Sequence, residues 1–130
     1  MCIRDSINAG HESILTFDQN KNYEYIKSEM PPIGIVKYFT ESMVKSNTIN
    51  LKDKTFVVYT DGVTEGYLKN GEELGAEGVQ KIIDDMPDVT PKNIVESIEK
   101  ELNWGAEKLR DDITCMAINI ANTELIKKAK

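Results

Sequence analysis

The stretch from Thr55 to Glu65 constrains the fold of this chain more than any other. Its first six residues read TFVVYT, a β-branched and aromatic run that is typical of a strand buried on both faces. The strand leads into Asp61-Gly62, a carboxylate followed by the residue that best tolerates positive φ. A rigid scaffold can present such a carboxylate to a ligand or a metal. An Asp-Gly pair between apolar runs also predicts a plain hairpin turn, so this stretch alone leaves both interpretations open.

Composition excludes several kinds of site. The 130 residues include 16 basic and 22 acidic side chains, a net charge of −6, which disfavours nucleic acid or an anionic membrane as a partner. Two cysteines and one histidine are too few for a disulfide framework or a Cys/His zinc site. A bound metal would be held mainly by oxygen, which points to magnesium, manganese or calcium. No apolar run approaches the roughly 18–20 residues of a membrane span, so we expect no membrane contact by this segment.

Several strands are predicted before the central one. Ile14–Phe17 and Tyr23–Lys27 flank a polar turn, which predicts an antiparallel hairpin with one solvated face. Pro31–Val36 predicts a rigid turn that leads into an extended apolar piece. Residues 42–51 alternate weakly between apolar and polar side chains. We therefore expect four or five antiparallel strands before Asp61.

Two amphipathic helices are predicted after the central strand. The first ends at Pro87, and the second begins with Thr90 as its N-cap and Pro91 at its first helical position. Trp104-Gly105 predicts the end of the second helix. The apolar positions that recur with helical spacing are Val79, Ile82, Ile83 and Met86 in the first helix, and Ile94, Val95, Ile98 and Leu102 in the second.

A second acidic cluster lies far downstream, where Arg110-Asp111-Asp112 leads into an apolar run over residues 113–120. Asp61 follows one strand and Asp111 precedes another, so antiparallel neighbours would bring their carboxylates together. Such carboxylates repel unless a cation lies between them or one takes up a proton. Magnesium typically binds one or two carboxylates plus waters. The alternative is that Arg110 pairs with Asp111 or Asp112 and the cluster merely solvates a strand start; spacing alone leaves both open.

Five short strings carry a family resemblance when they are taken in order. They read NAGH from residue 8, PIG from residue 32, YTDGVTE from residue 59, GEELG from residue 71 and RDDIT from residue 110. Together they resemble the C-terminal half of the bacterial PPM-type, SpoIIE-like family of metal-dependent serine/threonine protein phosphatases. The resemblance covers residues 7–120, nearly the whole chain.

This resemblance implies an α+β fold of two stacked antiparallel β-sheets flanked by α-helices, the PPM-type phosphatase sandwich, with its N-terminal part missing. It also implies a two-metal site for Mn²⁺ or Mg²⁺. By motif match, Asp61 and Asp111 would be metal ligands, and Gly62 and Asp112 would support them. His11 matches no ligand of the family, and we expect it to be structural.

The resemblance further implies that metal-activated hydroxide dephosphorylates phosphoserine and phosphothreonine proteins in bacterial signalling, for example regulators of a sigma factor. The implied partners are a phosphoprotein substrate and an upstream sensor or regulatory domain in the parent protein, and the implied location is the cytoplasm. The family's upstream half, with an acidic ligand that bridges both metals, does not occur among these 130 residues. We therefore expect the chain alone to be inactive and poorly soluble.

The two ends of the chain are expected to lie outside the phosphatase-like segment. Residues 1–6 show no strand or helix period and resemble translated adapter sequence, so we expect a non-native start there, and residues 121–130 a polar tail. One alternative is a non-catalytic module of the same fold that binds a phosphoprotein or a regulator. The other is an unrelated metal-stabilised β-rich binding domain.

Overall fold

A computed structural model describes residues 7–38, 40–45, 48, 52–102 and 111–119. The chain divides into two compact units, residues 1–56 with 119–130, and residues 57–118. The predicted boundary segments, residues 1–6 and 121–130, lie outside the described residues, as does the predicted helix end at Trp104-Gly105.

The first unit contains the predicted hairpin. Strands β1 (Ile14–Asp18) and β2 (Tyr23–Ile26) pair antiparallel, with Phe17 opposite Tyr23. Asp18 holds the connecting turn, because its carboxylate accepts the backbone N–H groups of Asn20 and Asn22 at 2.8 and 3.0 Å and the Asn22 side-chain amide at 2.8 Å. These bonds, above all the one from the Asn22 side chain, lower the pKa of Asp18 below its ordinary value. The hairpin prediction is confirmed.

The segment after the hairpin forms the predicted turn but not the extended piece that was expected to follow it. Residues 33–35 form a turn, with the Ile35 N–H donating to the Pro32 carbonyl at 3.3 Å, and residues 41–43 form one turn of 3-10 helix. Ile33 and Ile35 are 82% and 72% exposed, and no strand follows them over the described residues 36–38 and 40–45. Gly34 has φ +97°, a left-handed conformation that turns the chain after two prolines. Among the described residues before Asp61 there are three strands rather than four or five.

The central strand is buried as predicted. Strand β3 runs from Lys54 to Tyr59, and strand β4 from Cys115 to Asn119. Phe56 and Val57, whose side chains point to opposite faces, are 6% and 0% exposed. The described strands form one sheet in the order β2-β1-β3-β4. Together with the helices, this sheet confirms the α+β class.

The second unit carries three helices, α1 (Asp61–Thr64), α2 (Gly75–Asp84) and α3 (Pro91–Leu102). Helix α2 packs against α1 and against α3. The two amphipathic stripes supply buried core residues, whereas Ile82, Met86 and Val95 are only partly covered. The buried members of the stripes are Val79, Ile83, Ile94, Ile98 and Leu102. In the described part of the chain, no helix is long and apolar enough to cross a membrane.

Helix α3 begins as its sequence predicts. The Thr90 hydroxyl accepts the backbone N–H of Asn93 at 3.2 Å, and the Thr90 carbonyl accepts that of Ile94 at 3.0 Å. Pro91 occupies the first helical position, where its missing N–H leaves no donor unpaired. The cap therefore sets where α3 starts.

Replacing Thr90 with Ala removes the capping hydroxyl, and we expect the free energy of unfolding to fall by about 1 kcal/mol, the usual cost of a lost threonine cap. Urea unfolding monitored by circular dichroism measures the change. Thr90→Ser keeps the hydroxyl and is the matched control, expected to lose much less. An equal loss in both variants would contradict the cap.

Candidate metal centre

Asp61 lies where β3 ends, but the chain does not continue there as a loop. Helix α1 begins at Asp61, and the Asp61 carbonyl accepts the Glu65 N–H at 2.8 Å and the Thr64 hydroxyl at 3.1 Å. The Asp61 side chain is exposed, and its Oδ1 accepts the Gly62 N–H at 2.9 Å. The hairpin-turn interpretation of Asp61-Gly62 is therefore wrong, because a single helical turn follows the strand.

Asp111, in the segment that precedes β4, makes the same local hydrogen bond as Asp61. Asp111 is exposed, and its Oδ1 accepts the Asp112 N–H at 2.7 Å. Asp112 is also exposed. In Asp61 and Asp111 alike, one carboxylate oxygen accepts the next residue's N–H, which restrains the side chain.

The two acidic segments meet through their backbones. A methyl group built on Gly62 would lie 2.5 Å from the Asp112 carbonyl oxygen and 3.5 Å from the Asp111 carbonyl carbon. The Thr60 N–H donates to the Thr114 carbonyl at 3.0 Å. The structure thus brings Asp61-Gly62 beside Asp111-Asp112, as the strand-end and strand-start positions predict.

Gly62 is needed for a reason that the sequence does not show. Its expected role was positive φ, but the glycines with positive φ in the described part of the chain are Gly10, Gly34, Gly71 and Gly75. Gly62 is buried within α1, and its missing side chain leaves room for the Asp112 carbonyl. The expectation about φ is wrong, and close backbone approach replaces it.

The carboxylates of Asp61 and Asp111 suit a hard cation, but they are few. Carboxylate oxygens are the ligands that magnesium and manganese prefer, and the exposed Asp61 and Asp111 supply them. Among the described residues, no group of three or more histidine, cysteine, aspartate or glutamate side chains is arranged to hold a metal ion. The metal-ligand roles of Asp61 and Asp111, and the supporting roles of Gly62 and Asp112, therefore stay predictions.

His11 makes its hydrogen bonds away from these acidic segments. His11 is an exposed residue in the first unit, where its N–H donates to Asn8 Oδ1 at 2.9 Å and its ring nitrogen lies 3.3 Å from the Glu12 carbonyl oxygen. Arg110, the cationic partner in the surface-cluster interpretation, lies outside the described residues.

Sequence reasoning missed Thr60. Its hydroxyl donates to the Asp112 carbonyl at 3.1 Å and accepts the Thr114 N–H at 3.0 Å. The available signal was a threonine directly before a helix start, which indicates an N-cap. That signal misleads here, because the hydroxyl makes no capping bond to α1.

Comparisons with known proteins agree on one kind of domain. Residues 5–121 match the family model described as Stage II sporulation protein E (SpoIIE). A search of curated proteins finds no match. Among solved structures, the chain is similar to the SiaA-PP2C domain of Pseudomonas aeruginosa, with a TM-score of 0.61 and 19% identity. It is also similar to the manganese-presoaked phosphatase domain of the cell fate determinant SpoIIE from Bacillus subtilis, with a TM-score of 0.58 and 16% identity.

The alignments cover most of this chain but a much smaller share of each solved chain. The alignments take in 83% and 94% of this chain but 42% and 56% of the SiaA and SpoIIE chains. A third match, to the RsbU and RsbW domains of a Mycobacterium tuberculosis protein, has a TM-score of 0.50 and 20% identity and covers 89% of this chain and 30% of that one. The chain therefore spans about half the length, or less, of the solved chains that it matches.

Gly62→Ala tests the close backbone approach. The added methyl must displace the Asp112 carbonyl, so we expect the free energy of unfolding to fall by about 1–3 kcal/mol, as in other overpacked sites. Gly78→Ala is the matched control, because it also adds a methyl within a helix but meets side-chain atoms of Leu74 instead of a backbone carbonyl. Urea unfolding compares the two, and a Gly62→Ala variant as stable as Gly78→Ala would contradict the close approach.

Proposed function

Because this chain belongs to the SpoIIE family, we propose that residues 7–120 form the C-terminal part of a PPM-type phosphatase domain that dephosphorylates phosphoserine and phosphothreonine proteins. The observation that carries the proposal is the meeting of Asp61-Gly62 and Asp111-Asp112 at the end of β3 and the approach to β4. The family match leaves no place for the unrelated β-rich domain.

Asp61 and Asp111 would hold the metal, Mn²⁺ or Mg²⁺. Both are exposed, and each has one oxygen restrained by a backbone N–H, at 2.9 Å for Asp61 and 2.7 Å for Asp111. Manganese presoaking of the related SpoIIE phosphatase domain supports the choice of cation. When bound, a two-metal site supplies hydroxide near neutral pH by lowering the pKa of water, and it neutralises the oxygens of the phosphoryl group.

The chain's own residues orient this site rather than attack the substrate. The Thr64 hydroxyl and the Glu65 N–H both bond the Asp61 carbonyl, at 3.1 and 2.8 Å, and so fix the backbone that carries the carboxylate. Burial raises the pKa of the Cys115 thiol, which keeps it protonated and a poor nucleophile. With a single histidine in the chain, bonded locally to Asn8 and Glu12, water is the attacking group that the residue inventory favours.

The finer parts of the proposal come from the family resemblance. They are a phosphoprotein substrate in bacterial signalling, for example a regulator of a sigma factor, a cytoplasmic location and an upstream sensor or regulatory domain. A non-catalytic module of the same fold is the second candidate, favoured by the small number of acidic side chains brought together among the described residues. Metal-dependent turnover separates the two candidates.

Asp61→Asn tests the proposed ligand in the complete domain. The amide keeps the shape of the side chain but removes its charge, so we expect the rate of phosphopeptide hydrolysis with Mn²⁺ to fall roughly 100-fold or more, a loss of about 3 kcal/mol of transition-state stabilisation. The melting temperature should change little, because Asp61 is exposed.

The matched control is Asp85→Asn, the same change at an exposed residue beyond the end of α2. It should hydrolyse the phosphopeptide at the wild-type rate. Unchanged turnover in Asp61→Asn would remove Asp61 from the mechanism, and an equal loss in both variants would show a general effect of charge.

The 130-residue chain by itself should hydrolyse no phosphopeptide and should self-associate. Its described residues supply only a partial acidic set, and Ile33, Ile35 and Tyr38 are more than 70% exposed, an apolar surface that favours association. Sedimentation velocity and a manganese-dependent hydrolysis assay measure both properties. A monomer with metal-dependent turnover would show that the chain is a complete catalytic unit.

A further inference from the structure

We propose that Thr60 is a positioning residue whose hydroxyl holds the Asp111-Asp112 segment against Asp61-Gly62 and thereby sets the separation of the two metal-binding carboxylates. This inference rests on the proposed function, because it assigns the geometry of that same site. Thr60 itself contacts no substrate or metal in this assignment. It acts on the site through the backbone of Asp112.

The backbone of Thr60 leaves the sheet and enters the helix within one residue. Thr60 is extended, with φ −82° and ψ 164°, and its N–H donates to the Thr114 carbonyl at 3.0 Å. An antiparallel pair normally returns a second bond, from the partner's N–H to the first residue's carbonyl. Here the Thr60 carbonyl instead accepts the Val63 N–H at 2.9 Å, the first bond of α1.

The hydroxyl takes the place of that carbonyl. Thr60 Oγ1 accepts the Thr114 N–H at 3.0 Å, so the returning bond is made to the side chain. Its own hydrogen is then donated to the Asp112 carbonyl at 3.1 Å. One hydroxyl thus completes the pairing with Thr114 and fixes the peptide bond between Asp112 and Ile113. Valine, which matches threonine in shape, can do neither.

The fixed peptide is also the one that lies against Gly62. The Asp112 carbonyl oxygen would be 2.5 Å from a methyl group on Gly62, so contact and hydrogen bond act on the same oxygen atom. A displacement of this carbonyl moves the backbone of Asp111, whose Oδ1 is tied to the Asp112 N–H at 2.7 Å. Groups that orient metal ligands typically change metal affinity by about 10–100-fold when they are removed.

Thr60→Val and Thr60→Ser in the complete domain, where the metal site is proposed to be whole, test this assignment. Mn²⁺ is the probe, and line broadening of the backbone amide signals of residues 61–64 and 111–114 reports its binding in a series of concentrations. We expect Thr60→Val to raise the Kd for Mn²⁺ by about 10-fold or more and to speed hydrogen exchange at the Thr114 amide. Thr60→Ser should restore both values to those of the wild type, because the serine hydroxyl makes the same two bonds.

Thr55→Val is the matched control, since it removes a hydroxyl from β3, the strand that leads to Thr60. The Thr55 hydroxyl accepts the Asn119 side-chain amide at 2.7 Å, so the variant should lose stability while the Kd for Mn²⁺ stays unchanged. A stability loss alone therefore does not produce the expected result. Thr60→Ala is measured in parallel, so that the role of Thr60 is tested if either Thr60→Val or Thr60→Ala folds.

The outcomes separate the two proposals. A wild-type complete domain that binds Mn²⁺ together with a folded Thr60→Val of equal Kd overturns the role of Thr60 and leaves the metal site standing. A wild-type complete domain without Mn²⁺ broadening at residues 61–64 and 111–114 overturns the metal site and the inference with it. Unfolding of both Thr60→Val and Thr60→Ala also counts against the inference, because a positioning role requires a folded chain with weakened binding.

Discussion

The approach of the Asp112 carbonyl to Gly62 is the contact on which the rest of the site depends. A single methyl group at position 62 would come within 2.5 Å of that oxygen. The Thr60 hydroxyl bonds the same oxygen at 3.1 Å, across a sequence separation of 52 residues. Together these contacts place two short acidic segments side by side, so backbone packing brings together the residues that carry Asp61 and Asp111.

The strand that delivers Asp61 explains why an exposed carboxylate can be held in place. Within β3, Val57 and Tyr59 are 0% and 2% exposed, and Asp61 follows two residues after Tyr59 as the first residue of α1. Close packing leaves a buried strand little freedom to shift, whereas the segment with Ile33 and Ile35 lies open to solvent. Functional groups are positioned more accurately on such packed elements than on loops.

The comparisons give this local geometry its context. A match to the SpoIIE family model over residues 5–121 shows the family, and the solved phosphatase domains share the fold. The same comparisons show a chain about half as long as its solved relatives. A partial acidic set among the described residues agrees with that share of the domain.

Local patterns in the sequence determined the elements of this protein. The hairpin of β1 and β2, the burial of β3 and the cap of α3 at Thr90 follow from residue periodicity and turn chemistry, which act between neighbours in the chain. The placement of Asp61 near Asp111 was also predictable, because strand ends and starts meet in an antiparallel pair. Only the tertiary structure decided that Gly62 allows the Asp112 carbonyl to approach closely instead of supplying positive φ. It also decided that the Thr60 hydroxyl donates to the Asp112 carbonyl instead of capping α1. The exposure of Ile33 and Ile35 was likewise decided there. The physical reason is that a steric gap, a hydrogen-bond partner or a covering surface comes from residues distant in the chain, and no local pattern encodes their position.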